Sequence, residues 1–382
     1  MSDPSETLRS LESEGLLRRL RPLESAPGTE VIRDGKRLHN FSSNDYLGLS
    51  RHPEIEAAFI EGIRLHGTGS TASRLVCGTT APHVLLEESI ASKKQTEASL
   101  TFTSGYATAL GTIPVIVGKD DFIILDKLSH ASLVDAARLS GATIRVFPHN
   151  DLGKLARLLE SIRSRSSSAT ILVVTESVFS MDGDVCPLAG IIDLTEASDA
   201  LLFLDEAHAI GVLGPTGMGL AEAEGLQHRI AFQMGTLSKA VGLSGGYIAA
   251  SRDWIDLFIN RARSFVFSTA PPPAIAHAAL AAFNLIASDE GARLRKRLFH
   301  NIGIMGGNTS PIIPHILGSN EAALAASQSL LESGFLVPAI RYPTVPRGAA
   351  RLRTSLSANH TPETVVALRT AISALAKPAT RS

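Results

Sequence analysis

Cysteine is nearly missing from this chain, with Cys77 and Cys186 the two present in 382 residues. So few cysteines exclude a disulfide-stapled scaffold and a thiolate zinc site, and no metal is expected. An excess of charge of either sign is missing too: 36 Lys and Arg face 37 Asp and Glu, a formal net charge of −1. That balance gives no support to a nucleic-acid surface or an acidic tail. The basic stretches Arg18-Arg19-Leu20-Arg21 and Arg293-Leu294-Arg295-Lys296-Arg297 are short and read as solvated helix faces. No uninterrupted apolar run approaches membrane-spanning length. The start, Met1-Ser2-Asp3-Pro4-Ser5-Glu6, has neither the basic residues nor the apolar run of a signal peptide. Internal repeats and low-complexity runs are absent as well. The expectation is a cytoplasmic protein without nucleic-acid or membrane partners, long enough for one large domain and a smaller one.

What is present is an alternation of short apolar runs with helix-like pieces. The strand-like runs are Ser99–Thr103, Phe122–Leu125, Thr143–Phe147, Ile171–Thr175 and Leu201–Leu204. Between them lie helix-like segments from Tyr106 to Val117, Ala131 to Leu139, Leu152 to Ile162 and Leu188 to Ala197. Almost wholly apolar strands alternating with helices predict an α/β fold whose mostly parallel sheet is covered on both faces. Upstream, leucine spacing predicts a helix from about Glu6 to Leu20, and Asp34-Gly35 predicts a hairpin within Glu30–Leu38. Downstream, Pro271-Pro272-Pro273 leads into a long helix from Ala274 to Ile286. The tail from about 287 reads as a smaller α+β domain ending in an amphipathic helix, Pro362 to Ala374. The expected division is therefore an arm over 1–48, a large domain over 49–286 and a small domain over 287–382.

Ligands in parallel sheets sit beyond the carboxyl ends of the strands. Distinctive polar residues fall there: Ser104-Gly105-Tyr106, Asp126 to His130, Glu176 to Ser180, and Asp205 to His208. Lys239 follows a further apolar run, among small and hydroxyl residues in Gly235–Gly246. Desolvation would lower its pKa, and a neutral amine can condense with an aldehyde. Two tempting motifs fail on context. Gly67-Thr68-Gly69-Ser70-Thr71-Ala72 fits a dinucleotide fingerprint but follows a helix-like segment. Gly242-Leu243-Ser244-Gly245-Gly246 fits a hydrolase elbow but feeds the strand-like Tyr247–Ala250.

Taken together, these residues resemble the α-oxoamine synthase family of pyridoxal-phosphate enzymes. Further matches are Phe41–Leu49, Leu128–Leu133, Phe179–Asp184, Asp205-Glu206-Ala207-His208 and Pro343–Arg353. The resemblance covers nearly the whole chain, from Leu16 to the C-terminal helix. It implies the fold type I of pyridoxal-phosphate-dependent transferases, the aspartate-aminotransferase-like class, with pyridoxal 5′-phosphate as cofactor. Lys239 would be the Schiff-base lysine and proton shuttle, and Asp205 would pair with the pyridine nitrogen. His130 would stack on the ring, with Ser180 and His208 near its phenolic oxygen and Glu176 behind. The backbone of Ser104, Gly105 and Tyr106 would hold the phosphate, helped by Thr236 and by Thr269 of a second subunit in a homodimer.

Arg353 would hold an amino-acid carboxylate, with Asn44 assisting and Arg351 and Arg347 as rivals. Arg21, or Arg18 or Arg19, could reach an acyl-chain carboxylate or a phosphopantetheine carrier. Plainer readings stand beside these: a helix cap for Asp205 or Ser104, a satisfied structural imidazole for His130 or His208, a surface carboxylate for Glu176. The implied reaction joins L-alanine to an acyl thioester on CoA or acyl carrier protein, releasing thiol and carbon dioxide. Sister members using glycine or L-serine, and non-catalytic subunits lacking the lysine, are the alternatives. Three departures from the family pattern stand out. Glu206 replaces a more usual Asp, the loop Val76–Pro82 differs while His83 remains, and Arg341-Tyr342-Pro343 is altered.

Overall fold

A computed structural model describes residues 3–26, 28–307 and 309–375. Helix α1 (Pro4–Ser13) precedes the hairpin of β1 (Glu30–Arg33) and β2 (Lys36–Asn40). Next come α2 (Pro53–His66), α3 (Ala81–Lys94), β3 (Ala98–Phe102), α4 (Gly105–Ile116), β4 (Phe122–Asp126) and α5 (Ala131–Ser140). They are followed by β5 (Thr143–Phe147), α6 (Leu152–Arg163), β6 (Ile171–Glu176), α7 (Leu188–Ala197), β7 (Leu201–Asp205) and α8 (Leu220–Ala223). Then come β8 (Phe232–Thr236), β9 (Gly246–Ala250), α9 (Arg252–Arg261), α10 (Arg263–Val266) and α11 (Pro273–Ala287). The chain continues through α12 (Asp289–Ile304), β10 (Ile312–Gly318), α13 (Asn320–Glu332) and the short β11 (Phe335–Leu336) and β12 (Ala339–Ile340). It closes with β13 (Ala350–Ser355) and α14 (Pro362–Leu375).

Two compact units result. One comprises Leu49–Ser180 and Asp184–Arg295; the other comprises Met1–Gly48, Met181–Gly183 and Lys296–Ser382. Residues 1–48 thus share a unit with the C-terminal residues, and the break falls inside α12 rather than at 287.

The larger unit carries a seven-stranded sheet in the order β3-β9-β8-β7-β6-β4-β5. Its strands pair in parallel except β9, which runs antiparallel to both neighbours. Two antiparallel steps return β3 to the direction of β8, so every strand but β9 ends on one edge. Alternate side chains feed the two faces. Ile123, Leu125, Leu172, Val174 and Phe203 pack one core, and Ile124, Val173, Leu202 and Leu204 pack the other. Burial on both faces is why these strands are apolar throughout.

In the smaller unit, β1, β2 and β11 form one three-stranded sheet, and β10, β13 and β12 form another. The hairpin turns at Asp34 and Gly35 with φ of 52° and 70°, the left-handed pair a tight two-residue turn requires.

Two expectations change. The first helix stops at Ser13 rather than near Leu20, because Gly15 at φ 64° turns the chain out of the helix. The Arg18–Arg21 stretch is therefore coil rather than a helix face. Within Arg293–Arg297, Arg295 is buried and donates to the carbonyls of Ile286 (2.7 Å) and Pro215 (2.8 Å). That guanidinium ties down a loop. Both rejected motifs sit where the sequence put them: the glycine run at 67–69 follows helix α2, and Gly246 opens strand β9.

Candidate active site

Helix α4 begins directly after β3, so its first backbone N–H groups point off the strand-end edge. Ser104 caps it, its hydroxyl accepting from the Ala107 amide at 3.0 Å. A Cβ added at Gly105 would stand 3.6 Å from Thr236 Oγ1, which sets this helix start beside the end of β8. The Thr236 hydroxyl donates to the Gly245 carbonyl at 2.8 Å and lies 2.8 Å from Ser238 Oγ. Tyr106 is exposed, and its hydroxyl donates to Asp135 at 2.6 Å.

Strand β7 ends on Asp205, whose Oδ1 accepts from the Ala207 amide at 2.9 Å. The same turn brings His208 Nε2 to 2.9 Å from Lys239 Nζ, beyond the end of β8. Asp205 and Glu176 are register partners on adjacent strands, both buried. Glu176 accepts the His130 amide at 2.6 Å and so fixes the start of α5. The His130 imidazole then lies 2.8 Å from Ser132 Oγ. Burial lowers the pKa of His130, Asp205 partly restores it and Lys239 lowers it further, which favours the neutral imidazole. Burial, then the Asp205 charge, raises the Glu176 pKa well above the usual carboxylate value, while Lys239 and the His130 amide pull it down. Lys239, His208, Asp205, Glu176, His130, Ser104, Gly105 and Thr236 therefore share one edge of one sheet. Ser180 closes the segment after β6 and is buried. Thr269 is exposed and pairs with Ser73 in an isolated bridge.

The raised pKa of Glu176 makes Glu176→Gln an informative variant. A group whose folded pKa is raised stabilises the fold below its unfolded pKa and loses that contribution as pH rises. Glu176→Gln keeps an acceptor for the His130 amide and removes the penalty of ionisation. It should match or exceed the wild type in thermal stability at pH 8, with the gap closing towards pH 4.5. Glu176→Ala leaves that amide without its acceptor and should cost about 1–3 kcal/mol. Melting curves of both variants across this range check the pair.

In the smaller unit, Arg353 lies buried on β13. Its Nη1 donates to Asn44 Oδ1 at 3.2 Å and to Ser355 Oγ at 2.8 Å. Tyr46, also buried, donates to the same Asn44 oxygen at 3.1 Å. Burial pushes the Tyr46 hydroxyl up to about 12 against the opposing pull of Arg353. The rival arginines are occupied: Arg351 pairs with Asp182 at 2.6 Å, and Arg347 lies 4.4 Å over the Tyr342 ring. Arg21 stands apart from Arg353, on a cavity of about 790 Å³.

The sequence reading gave no role to Lys94, Glu206, Tyr46 or His149. Lys94 and Glu206 form an ion pair with both side chains fully buried, and Lys94 also donates to the Met218 carbonyl at 2.7 Å. The departure at Glu206 thus has a partner some hundred residues away in sequence. The retained His83 is structural, closing the capping box of α3 and lying 2.9 Å from the Pro271 carbonyl. His149 sits between Asp126 (3.0 Å) and Asp184 (2.7 Å), and Asp126 in turn accepts the Leu128 amide just before His130. The signal for Tyr46 was its place in the Asn44-Asp45-Tyr46 run.

Burial alone would lower the His149 pKa, but the two carboxylates override it and push it to about 10. Its raised pKa contributes stability in full below about 6.5, lost as pH climbs through 10. The melting-temperature gap between wild type and His149→Gln should therefore shrink from pH 6 to pH 10.5. A constant gap across that range would refute the ion pairing.

An amine beside an imidazole, a buried carboxylate at a strand end and a helix start lined with small residues form a donor set that fits a phosphorylated pyridine aldehyde. The family model described as aminotransferase class I and II matches residues 36–372. The chain is 45% identical to the 8-amino-7-oxononanoate synthase of Geobacter sulfurreducens over 92% of each chain. Among solved structures, a lysine-to-alanine variant of a serine palmitoyltransferase from S. paucimobilis with a bound PLP–myriocin aldimine superposes with a TM-score of 0.90 at 29% identity, covering 97% of this chain and 96% of that one. An 8-amino-7-oxononanoate synthase from Francisella tularensis gives a TM-score of 0.75 at 27% identity, covering 88% and 97%. With the sheet, the strand-end residues and these likenesses in agreement, the chain belongs to the class I and II aminotransferase family, in its α-oxoamine synthase branch of pyridoxal-phosphate enzymes.

Proposed function

We propose that this chain is an 8-amino-7-oxononanoate synthase, acting in the cytoplasm in biotin synthesis. The observation that carries this reading is the 45% identity to a relative of that name over 92% of both chains. Serine palmitoyltransferases stand at about 29–31%. The product's carbon count defines the substrates. L-alanine, after losing carbon dioxide, contributes carbons 8 and 9 with the amine. The acyl donor must then supply carbons 1 to 7 with a terminal carboxylate, which makes it a pimeloyl thioester of CoA or acyl carrier protein.

When bound, pyridoxal phosphate supplies a conjugated sink for the electron pair left at alanine Cα. The residues have separable tasks. Arg353, steadied by Asn44 and Ser355, grips the alanine carboxylate through its planar fork. Lys239 Nζ removes the Cα proton, and His208 at 2.9 Å orients that amine. Asp205 holds a proton on the ring nitrogen, and the raised pKa of Glu176 alongside disfavours a second negative charge there. The N-terminal amides of α4 and the Thr236 hydroxyl bind phosphate, while His130 in its neutral form covers the ring face. The Cα pair attacks the thioester carbonyl, the thiol departs, the alanine carboxylate leaves as carbon dioxide, and Lys239 returns a proton to Cα. Ser180 would add a hydroxyl on the His208 side of the ring.

Thr269 is assigned to the phosphate of a partner subunit, which makes the working form a homodimer. Support comes from the exposed apolar side chains of Leu75, Val76 and Phe267, at 52%, 78% and 72% exposure, close in sequence to the Ser73–Thr269 bridge. The higher TM-score of the serine palmitoyltransferase favours one alternative, L-serine with a long acyl-CoA.

A single experiment separates the two. The cofactor-loaded protein is titrated with L-alanine, glycine and L-serine while visible absorbance is followed, then given pimeloyl-CoA or palmitoyl-CoA while thiol release and product mass are measured. L-alanine with pimeloyl-CoA should give the largest response and an 8-amino-7-oxononanoate mass. Preferential use of L-serine with palmitoyl-CoA would replace this reading by the alternative.

A further inference from the structure

Strand β4 ends on Asp126, and the turn after it leads to His130, the group assigned to the face of the cofactor ring. Every amide of that turn is held. Lys127 donates to the Phe147 carbonyl at 3.0 Å, Leu128 to Asp126 Oδ1 at 2.8 Å, Ser129 to the Asp126 carbonyl at 3.1 Å and His130 to Glu176 at 2.6 Å. Asp126 thus supplies two of these acceptors, one of them from its side chain, in the manner of an Asx turn. That carboxylate is costly to keep ionised, because it is 0% exposed. The cation paired with it is His149, whose Nδ1 lies 3.0 Å from the same Oδ1 that accepts from Leu128. The second oxygen accepts the Asn150 amide at 2.9 Å.

His149 is itself fixed from its far side. Its Nε2 donates to Asp184 Oδ2 at 2.7 Å, and the Phe179 ring stands at 87° to the imidazole with centroids 4.3 Å apart. Asn150 Nδ2 donates to the same Asp184 oxygen at 3.1 Å and to the Val185 carbonyl at 3.2 Å. Burial opposes a charge on His149, but the two carboxylates outweigh it and keep the ring protonated at neutral pH. An imidazolium donates from both nitrogens at once, whereas a neutral imidazole donates from one. One rigid ring therefore carries the hold of Asp184 across to Asp126.

We propose that His149 is a positioning residue for the cofactor: it locks the Asp126 carboxylate, and through it the turn that sets His130 over the pyridine ring. Without that cation, the buried Asp126 takes a proton or turns away from its partners. Either change weakens the charge-assisted bond to the Leu128 amide, two residues before His130. Strand β4 itself stays paired with β5 as far as Asp126 and with β6 as far as Leu125, so the loss falls on the turn rather than on the sheet. The assignment rests on the reading of His130 as the ring-facing group and adds to it the charge that holds that group in place.

The test titrates the full-length chain with pyridoxal phosphate for its dissociation constant, then records visible circular dichroism at saturation, which reads the asymmetry that neighbouring groups impose on the ring. His149→Ala should weaken binding by about tenfold and reduce the dichroism per bound cofactor. Asp184→Asn, at a side chain 42% exposed, keeps an acceptor for His149 while removing one charge, and should weaken binding by about threefold. His130→Ala should itself weaken binding, and adding His149→Ala to it should cost less than about a further twofold, because the turn then has no ring-facing group to place. Wild-type affinity and dichroism in a folded His149→Ala overturn the proposal. So does a lowered melting temperature with unaltered dichroism, which would make the clamp purely structural, and so do strictly additive losses in the double variant. If His149→Ala fails to fold, Asp184→Asn decides by the same two readouts. Wild-type binding in His130→Ala is a different failure: it removes His130 from the ring face, and the proposal falls with that reading.

Discussion

Lys239→Ala is expected to lower kcat by about four orders of magnitude, since in the proposed mechanism it removes both the nucleophilic amine and the proton carrier. The same change should leave the fold standing. Lys239 is half-buried, and the hydrogen bond it loses, to His208 at 2.9 Å, is worth about 0.5–1.5 kcal/mol. Steady-state turnover with L-alanine and pimeloyl-CoA, set beside a melting curve of the same preparation, checks both halves. An added primary amine should restore part of the rate, because proton transfer at Cα needs a base at that position rather than a tether. Substantial turnover by Lys239→Ala without added amine would remove Lys239 from the mechanism.

Lys94→Met is expected to cost about 3–5 kcal/mol of stability, more than any other single change discussed here. Both partners of the Lys94–Glu206 pair are fully buried, so removing the cation leaves a carboxylate in the core with no counter-charge. Glu206 Oε1 also accepts the Ala221 amide at 3.0 Å and packs against Gly219, so there is little room to turn towards water. The double change Lys94→Met with Glu206→Gln removes both charges and keeps the acceptor for Ala221. It should recover at least half of the loss. Urea midpoints of wild type, both single variants and the double variant close the cycle, and strictly additive losses would mean the pair is not coupled. Since Glu206 follows Asp205 directly, Lys94→Met should also weaken retention of pyridoxal phosphate.

The two predictions differ in what the sequence could show. Lys239 stood out from its local surroundings, a cationic residue after an apolar strand among small neighbours. Asp205, Glu176 and Ser104 stood out in the same way, as polar residues closing apolar runs. Strand-end position is local information, because a buried parallel strand must be apolar until it leaves the sheet. Lys94 drew no notice in the sequence, because nothing adjacent to it marks it as buried.

Arginines were the least legible residues. Arg295 and Arg18–Arg21 both read as solvated basic stretches, yet one is a buried loop anchor and the other lines a cavity. The choice of Arg353 over Arg351 and Arg347 came from likeness to a family. The tertiary structure supplies a physical reason: Asp182 claims Arg351 and Tyr342 claims Arg347.

By itself the sequence determined the alternation of strands and helices, the strand ends where polar residues gather, the hairpin at Asp34-Gly35 and the place of the candidate lysine, Lys239, beyond an apolar strand. Each of these depends on neighbours within a few residues, through side-chain period, turn conformation or the apolar demand of a covered strand. Tertiary structure alone decided the Lys94–Glu206 and His149 ion pairs, the pairing of Glu176 with Asp205, the early end of the first helix and the gathering of five arginines around one cavity. Those depend on charges brought together from distant parts of the chain, where burial strengthens each interaction and a one-dimensional pattern carries no record of the distance.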